Sequence, residues 1–457
     1  MSLINIALSG LNANRVALDV TAQNVANVNT QGYSRQQALM ESVEGGKYDR
    51  LSPGIGVEVS GIRRVTDEYL VKQMWSTNSF ASYATRYTTN MNQLENTLNA
   101  DGLNLSSGFD ALFSGLNDAT VKPESIPYRQ QIINEAEALS LRFNTLSESL
   151  HNQLQNVGEQ RNAAINHANT LLSNIADINK QIVELQGTGG NSATLLDKRD
   201  LLIGELSTFI EVKTTTQGNG GIQVMLASGQ PLVMGGDHGE LKVTPDPSAS
   251  NRPKMEVEFG TQIFIVADVQ GGELGALNDY QQNVLEPYKT AIDDMAKALA
   301  DEFNAVLATG TDLNGNSGTP LFSYDPANPA SSLIVTDIEP KQLAFSSDGN
   351  PGNADVLTNL IDLSNQPVSV SGFGSLTLND AFSAMVGETA IKARQAEADY
   401  QAKSAMNQQA ISARDNVSAV NSDEEAANLM TFANAHNANM KVISTANQLF
   451  DTVLQLF

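Results

Sequence analysis

Ile4-Asn5-Ile6-Ala7-Leu8-Ser9-Gly10-Leu11-Asn12-Ala13-Asn14-Arg15-Val16-Ala17-Leu18-Asp19-Val20-Thr21-Ala22-Gln23-Asn24-Val25, set against the far end of the chain, decides the fold. Ile4, Leu8, Leu11, Leu18, Ala22 and Val25 recur at alternating steps of four and three, broken only at Arg15. That is the a/d seam of a coiled-coil helix. Leu429, Phe432, Ile443, Ala446, Phe450, Val453 and Phe457 repeat the pattern at the other end, with His436 and Asn439 as polar members. Ser422 followed by Asp423-Glu424-Glu425 reads as a capping box, the Ser422 hydroxyl accepting from the Glu425 amide while the acids sit at the positive helix end. Neither helix buries its stripe alone, so the two termini are expected to pair and to keep apolar surface for other subunits.

Outward from these ends the chain goes out and comes back. Asn27 to Ser34 is a turn with Gly32 free to take positive φ, and Gly54 to Arg64 alternates as a short strand or hairpin. Asp67 to Leu98 is helical. A longer helix begins after Pro127 and carries Leu139, Phe143, Leu146, Leu150, Val157, Ala164, Ala168, Leu171, Ile175, Ile178, Ile182 and Leu185 at coiled-coil spacing. Ala193 to Phe209 is a shorter helix. The period then switches to two over Ile222–Leu226, Leu241–Val243, Met255–Phe259 and Ile263–Val266, which read as strands. Helix returns over Ala276–Leu307 and, after loops and short strands, over Asp380–Arg414.

The expected class is therefore α+β, mainly α, in a nested, elongated multidomain chain. Residues 1–66 plus 420–457 form a terminal helical coiled-coil assembly domain. Residues 67–210 plus 275–419 form a mainly helical bundle, and 211–274 an inserted small β domain.

Composition bounds the chemistry. Among 457 residues, 51 Asp and Glu outweigh 27 Lys and Arg, leaving a formal charge of -24 that argues against nucleic acid and anionic membrane surfaces. No apolar run approaches the roughly 20 residues of a membrane span. The first residues carry no cationic stretch, so a Sec signal peptide is not expected. With 0 cysteines there is no disulfide, thiolate metal site or cysteine nucleophile. His151, His167, His238 and His436 stand apart from one another and from carboxylates at ligand spacing, so they read as surface or seam residues.

Asp312-Leu313-Asn314-Gly315-Asn316 approaches a calcium loop but holds Ser317 where glycine is needed and Ser323 where glutamate is needed. An Asx-rich turn is the better reading. Gly218-Asn219-Gly220-Gly221 fails the dinucleotide spacing and reads as a hairpin turn. Asp197 and Asp200 around Lys198-Arg199 look like helix-surface ion pairs or caps. No catalytic residue, cofactor or metal is expected.

Ala22-Gln23-Asn24-Val25-Ala26-Asn27-Val28-Asn29-Thr30-Gln31-Gly32-Tyr33-Ser34-Arg35 resembles the N-terminal signature of bacterial flagellar axial proteins. Val420-Asn421-Ser422-Asp423-Glu424-Glu425-Ala426-Ala427-Asn428-Leu429 narrows the resemblance to the family of the first hook-associated protein, the hook-proximal junction protein (FlgK family). The stretches Leu195–Leu202, Gly271–Leu277, Ala300–Asn304 and Asp312–Gly315 are similar to internal blocks of that family. Its signature falls here on Asn24, Asn27, Asn29, Gly32, Tyr33, Asp423, Glu424, Glu425 and Asn428. Gln31 and the run Phe432–Asn439 depart from the pattern, and the chain is short for the family, so an outer domain is expected to be reduced or missing.

The resemblance implies a non-enzymatic structural adaptor of the flagellum, exported by the flagellar type III route and located outside the cell at the hook–filament junction. Hook protein, the second junction protein and copies of itself in a ring would be its partners. A cytosolic export chaperone would bind the C-terminal helix, and no nucleic acid or membrane insertion is involved. The rival readings are another rod or hook subunit, or a secreted adhesive protein that uses the β domain.

Overall fold

In the computed structural model, which describes residues 3–44, 54–246, 252–267 and 269–455, helix α1 (Leu3–Ala26) is followed by an antiparallel pair, β1 (Gln36–Val43) and β2 (Gly56–Arg64). Strand β2 matches the period-two reading, whereas β1 was not expected: its sequence lacks alternation, and its ladder slips at a bulge between Leu39 and Met40. Helix α2 (Glu68–Leu98) starts where Asp67 accepts from the amides of Tyr69 and Leu70.

Helix α3 (Leu105–Ala119) was also missed. Its Leu105, Phe109, Leu112 and Leu116 are all buried at helical spacing, and Asn104 caps its start by accepting from the Ser107 amide at 3.2 Å. Helix α4 (Ile126–Gly187) buries eleven of its expected stripe residues, from Leu139 to Ile182, while Leu185 is half-buried. Helix α5 (Ala193–Phe209) has the expected bounds.

Two antiparallel sheets follow. One orders β3 (Val212–Thr216), β4 (Ile222–Leu226), β5 (Pro231–Met234) and β6 (Asp237–His238); the other orders β7 (Glu240–Asp246), β8 (Arg252–Phe259) and β9 (Gln262–Val266). Gly218–Gly221 is the β3–β4 turn, with Gly220 at φ 79. The helix expected over Ala276–Leu307 is divided into α6 (Gly272–Tyr280), a π turn over Gln281–Leu285, and α7 (Glu286–Leu307). Pro287 has no N–H to give the Asn283 carbonyl, and the Glu286 amide reaches back to the Gln281 carbonyl across the widened turn.

Short elements come next: β10 (Phe322–Ser323), α8 (Pro329–Ser332), β11 (Ile334–Val335), α9 (Asp355–Asp362), β12 (Val368–Val370) and β13 (Gly374–Leu376). Helices α10 (Leu378–Ser418) and α11 (Ser422–Leu454) complete the chain.

The chain forms two compact units, each discontinuous in sequence. One contains residues 1–82, 165–272 and 403–457, thus both terminal helices, the β1–β2 pair and both larger sheets. The other contains 83–164 and 273–402. The core of the second unit is continuous, running from Met91 and Leu94 through Phe109 and Phe143 to Tyr280, Tyr288, Phe303 and Phe382. Arg129 is buried in the same unit, donating to the carbonyls of Pro123, Pro340 and Leu343 and lying 4.4 Å from the Phe345 ring centre. Burial pushes its guanidinium down to about 10.

Candidate assembly interface

The terminal helices pair, but the seam of α1 is not the expected one. Its buried residues are Ala7, Gly10, Ala13, Ala17, Val20, Thr21 and Asn24, of which Ala7, Gly10, Ala17, Thr21 and Asn24 lie one residue before the predicted stripe. At 3.6 residues per turn, that shift is about 100° around the helix. Small residues win the inner position because they let the two backbones approach. A Cβ on Gly10 would stand 2.9 Å from the Asn439 side chain of α11. Of the expected stripe, Ile4, Leu11 and Leu18 are half-buried, while Leu8, Ala22 and Val25 are exposed, Leu8 at 48%.

On α11, Glu425 and Ala446 are buried, and Asn428, Phe432, His436, Asn439 and Ile443 lie half-buried between them. Leu429, Phe450 and Val453 face outward, Phe450 at 63% exposure; Phe457 lies outside the described residues. Leu3, Ile6, Met430, Met440, Leu449 and Leu454 are further exposed apolar residues that the a/d reading passed over. The terminal pair thus packs largely through small and polar side chains and leaves many of its large apolar ones uncovered.

The residues of the signature meet at one end of this pair. Asn24 is 1% exposed, and four hydrogen bonds use its amide completely. Its Nδ2 donates to the Gln36 carbonyl at 2.9 Å and to Glu425 Oε2 at 3.1 Å. Its Oδ1 accepts from the Tyr33 hydroxyl and the Gln36 amide, each at 2.9 Å. Burial, with Asp197 and Glu425 nearby, pushes the Tyr33 hydroxyl up to about 12, so it remains a donor at neutral pH. Glu425 is itself 2% exposed.

Around this centre Gly32 takes φ 78, which glycine adopts without strain, and Asn27 accepts from Thr30 and donates to the Gln23 carbonyl. Asn29 is exposed. Arg35 donates to Glu424 at 2.7 Å, and its amide donates to the Ser418 carbonyl at 2.8 Å, joining the end of α10 to the start of α11. The cap of α11 is Asn421 rather than Ser422: its side chain accepts from the amides of Asp423 and Glu424, and Glu425 turns inward instead of closing a box.

The acids of α5 require a second correction. Asp197 is buried rather than on a helix surface, 2.9 Å from Arg64 Nε, and accepts from the Ser34 amide. Asp200 meets the same guanidinium at 2.6 Å. Burial pushes the Asp197 carboxyl up, with Arg64 opposing it. Arg199, also buried, donates to Asn179 and to the Gly220 carbonyl of the β3–β4 turn. These groups are consumed in holding loops together.

The Asp312 loop is an Asx turn, Oδ1 accepting from the amides of Asn314 and Asn316 at 2.8 Å each. Among the described residues no group of three His, Cys, Asp or Glu could hold a metal, and no helix is long and apolar enough to cross a membrane.

Both ends match models of flagellar axial proteins: residues 4–33 the flagella basal body rod protein family, and 411–456 the C-terminal family of flagellar basal body rod FlgEFG proteins. The two helices that build the terminal pair are thus similar to the ends of flagellar basal body rod proteins. Residues 91–322 match the helical domain of flagellar hook-associated protein FlgK, and the chain belongs to the FlgK family. That is a family of structural flagellar proteins, not enzymes.

Flagellar hook-associated protein 1 of Escherichia coli (strain K12) is 24% identical and that of Salmonella typhimurium (strain LT2) 26%, each over 100% of both chains. The protein of that name from Bacillus subtilis (strain 168) is 25% identical over 99% of this chain and 97% of its own. The enterobacterial alignments run to 546 and 554 positions against 457 residues here, so those relatives hold insertions that this chain lacks. The structure of the flagellar hook junction protein FlgK from Burkholderia pseudomallei shares the fold, with TM-score 0.68 and 16% identity over 76% of this chain and 100% of that one.

Proposed function

We propose that the chain is an adaptor at the hook–filament junction, secreted by the flagellar type III route and assembled outside the cell through its terminal helices. The observation that carries this reading is the double use of those helices. Small and polar residues serve the pairing within the chain, and large apolar residues, among them Leu8, Val25, Leu429, Phe450 and Val453, stay uncovered. Monomeric soluble proteins rarely leave so much apolar surface on paired helices without a partner. Neighbouring copies in a ring, hook protein and the second junction protein are the partners that fit. Before secretion, a cytosolic chaperone would cover the same α11 face in helix-in-groove fashion. Residues 1–66 plus 420–457 then act as the assembly domain, 67–210 plus 275–419 as the helical middle and 211–274 as an inserted β domain.

Deleting Ser422–Phe457 tests this. The truncated chain is expected to keep the fold of 83–164 plus 273–402 by circular dichroism yet fail to enter hooks, giving flagella without filaments. Normal incorporation would overturn the reading. Equal chaperone binding by the full and truncated chains would remove α11 as the chaperone site.

A further inference from the structure

We infer that the buried Asn24–Glu425 contact is a register lock that sets the alignment of the two terminal helices. Two contacts define that alignment: Gly10 against Asn439 and Asn24 against Glu425. Fourteen residues separate them on α1 and fourteen on α11, in opposite directions. The helices are therefore antiparallel and in step over two heptads.

The rest of the seam specifies this alignment poorly. Ala7, Gly10, Ala13 and Ala17 offer α11 nearly the same small surface at each turn. A slip of one heptad keeps small residues under Phe432, Asn439 or Ala446. What a slip cannot keep is the polar pair. Moved one way, Glu425 would face Ala17; moved the other way, Asn24 would face Phe432. Either leaves a buried carboxylate or amide without its partner, a penalty much larger than any difference among the small residues. A polar residue in an apolar seam is the established way to choose one register among several.

Asn24 suits this role because its remaining three hydrogen bonds, to Tyr33 and to both backbone groups of Gln36, hold it in one rotamer. Three of the amide's four bonds come from residues close to it in sequence, so its orientation does not depend on Glu425 alone.

The consequence lies on the outside of the pair. Seven residues of helix span about 10 Å. A slipped α11 would carry Leu429, Phe450 and Val453 that far along the pair from their native places relative to α1. Asn24 and Glu425 are in this sense positioning residues for the composite apolar surface. The inference rests on the proposed assembly role for its biological meaning but not for its test.

The chain has 0 cysteines, so introduced pairs report cleanly on register. Ala13→Cys with His436→Cys probes the native alignment, and Ala13→Cys with Leu429→Cys or with Ile443→Cys probes the two slips. In the otherwise unchanged monomer, and with Glu425→Gln, only the 13–436 disulfide is expected. In the Asn24→Leu/Glu425→Leu background the slipped disulfides should rise at least about tenfold, the ratio set by roughly 1.4 kcal/mol.

Native crosslinks alone in that background would overturn the lock, whatever happens to incorporation into flagella. If the double-leucine chain loses its terminal helices, Asn24→Ala/Ala17→Asn replaces it, having moved Glu425's partner by one heptad. It must then crosslink through 13 and 429, and persistence of 13–436 would overturn the lock. A chain that shifts register yet still assembles normally would leave the lock standing and count against the proposed assembly surface.

Discussion

Gly10 is a close approach on the terminal seam, with the Asn439 side chain occupying the space a Cβ would take. Gly10→Leu should push the helices apart and cost roughly 1–3 kcal/mol, the usual price of overpacking, measured as a lower urea midpoint of the terminal helices. Tyr33→Phe deletes one donor to Asn24 and should cost about 1 kcal/mol, because the buried Oδ1 keeps the Gln36 amide. Arg64→Met is the severest of these changes. It strands Asp197 in its buried site and should cost roughly 3–5 kcal/mol, whereas Arg64→Met with Asp197→Leu should recover much of the loss. A double-mutant cycle checks that directly. None of these partnerships was legible in sequence. Asn24 and Glu425 each belonged to a quoted signature, but 401 residues separate them, and nothing in either local pattern says that they touch.

At the scale of elements, periodicity reported which segments are helical far better than which face is inside. In α4 the expected stripe is the buried one, because Leu, Ile and Phe fill a core. In α1 the same rule chose the outer face, because it weights large apolar residues and the true seam runs through alanine and glycine. Helix α3 carries a helical stripe in Leu105, Phe109, Leu112 and Leu116, but the loop-favouring Asp101, Gly102, Ser106 and Ser107 at its start obscure it. Strand β1 gave no signal at all, since only pairing with β2 defines it.

The turn before α9 carries a pH prediction at this scale. Asp348 accepts from Ser346, from the amide and side chain of Asn350, and from Asn353; Asp355 accepts from the Ser347 amide and hydroxyl. These bonds hold both carboxyls below their ordinary value of 3.8. A lowered folded-state value means that the stabilisation is complete above about 3.8 and is lost as pH falls through the folded values. Protection against amide exchange over 346–356, corrected for the intrinsic rate at each pH, should therefore fall only below that pH. In Asp348→Asn/Asp355→Asn the added acid sensitivity should disappear; an unchanged acid profile would contradict the assignment.

For the whole molecule, a charge of -24 and an uncovered apolar surface act in opposite directions on association. Copies that meet through Leu429, Phe450 and Val453 must bring like charge together, and Asp423, Glu424 and Asp451 sit on the same helix. Repulsion of this kind is screened by salt: the Debye length falls from about 30 Å at 0.01 M to about 3 Å at 1 M. Apolar burial does not weaken with salt and is strengthened by excluded salts such as sulfate. The chain should accordingly sediment as a monomer at low ionic strength and associate as salt rises, the reverse of a complex held by ion pairs. Leu8→Ser, Phe450→Ser and Val453→Ser together should abolish that rise while leaving the intramolecular seam of Ala7, Gly10, Ala13 and Ala17 untouched. Sedimentation velocity across this range decides the matter. Association that weakens with salt, or that survives the three serines, would mean that copies meet through some other surface and that the net charge does not restrain them.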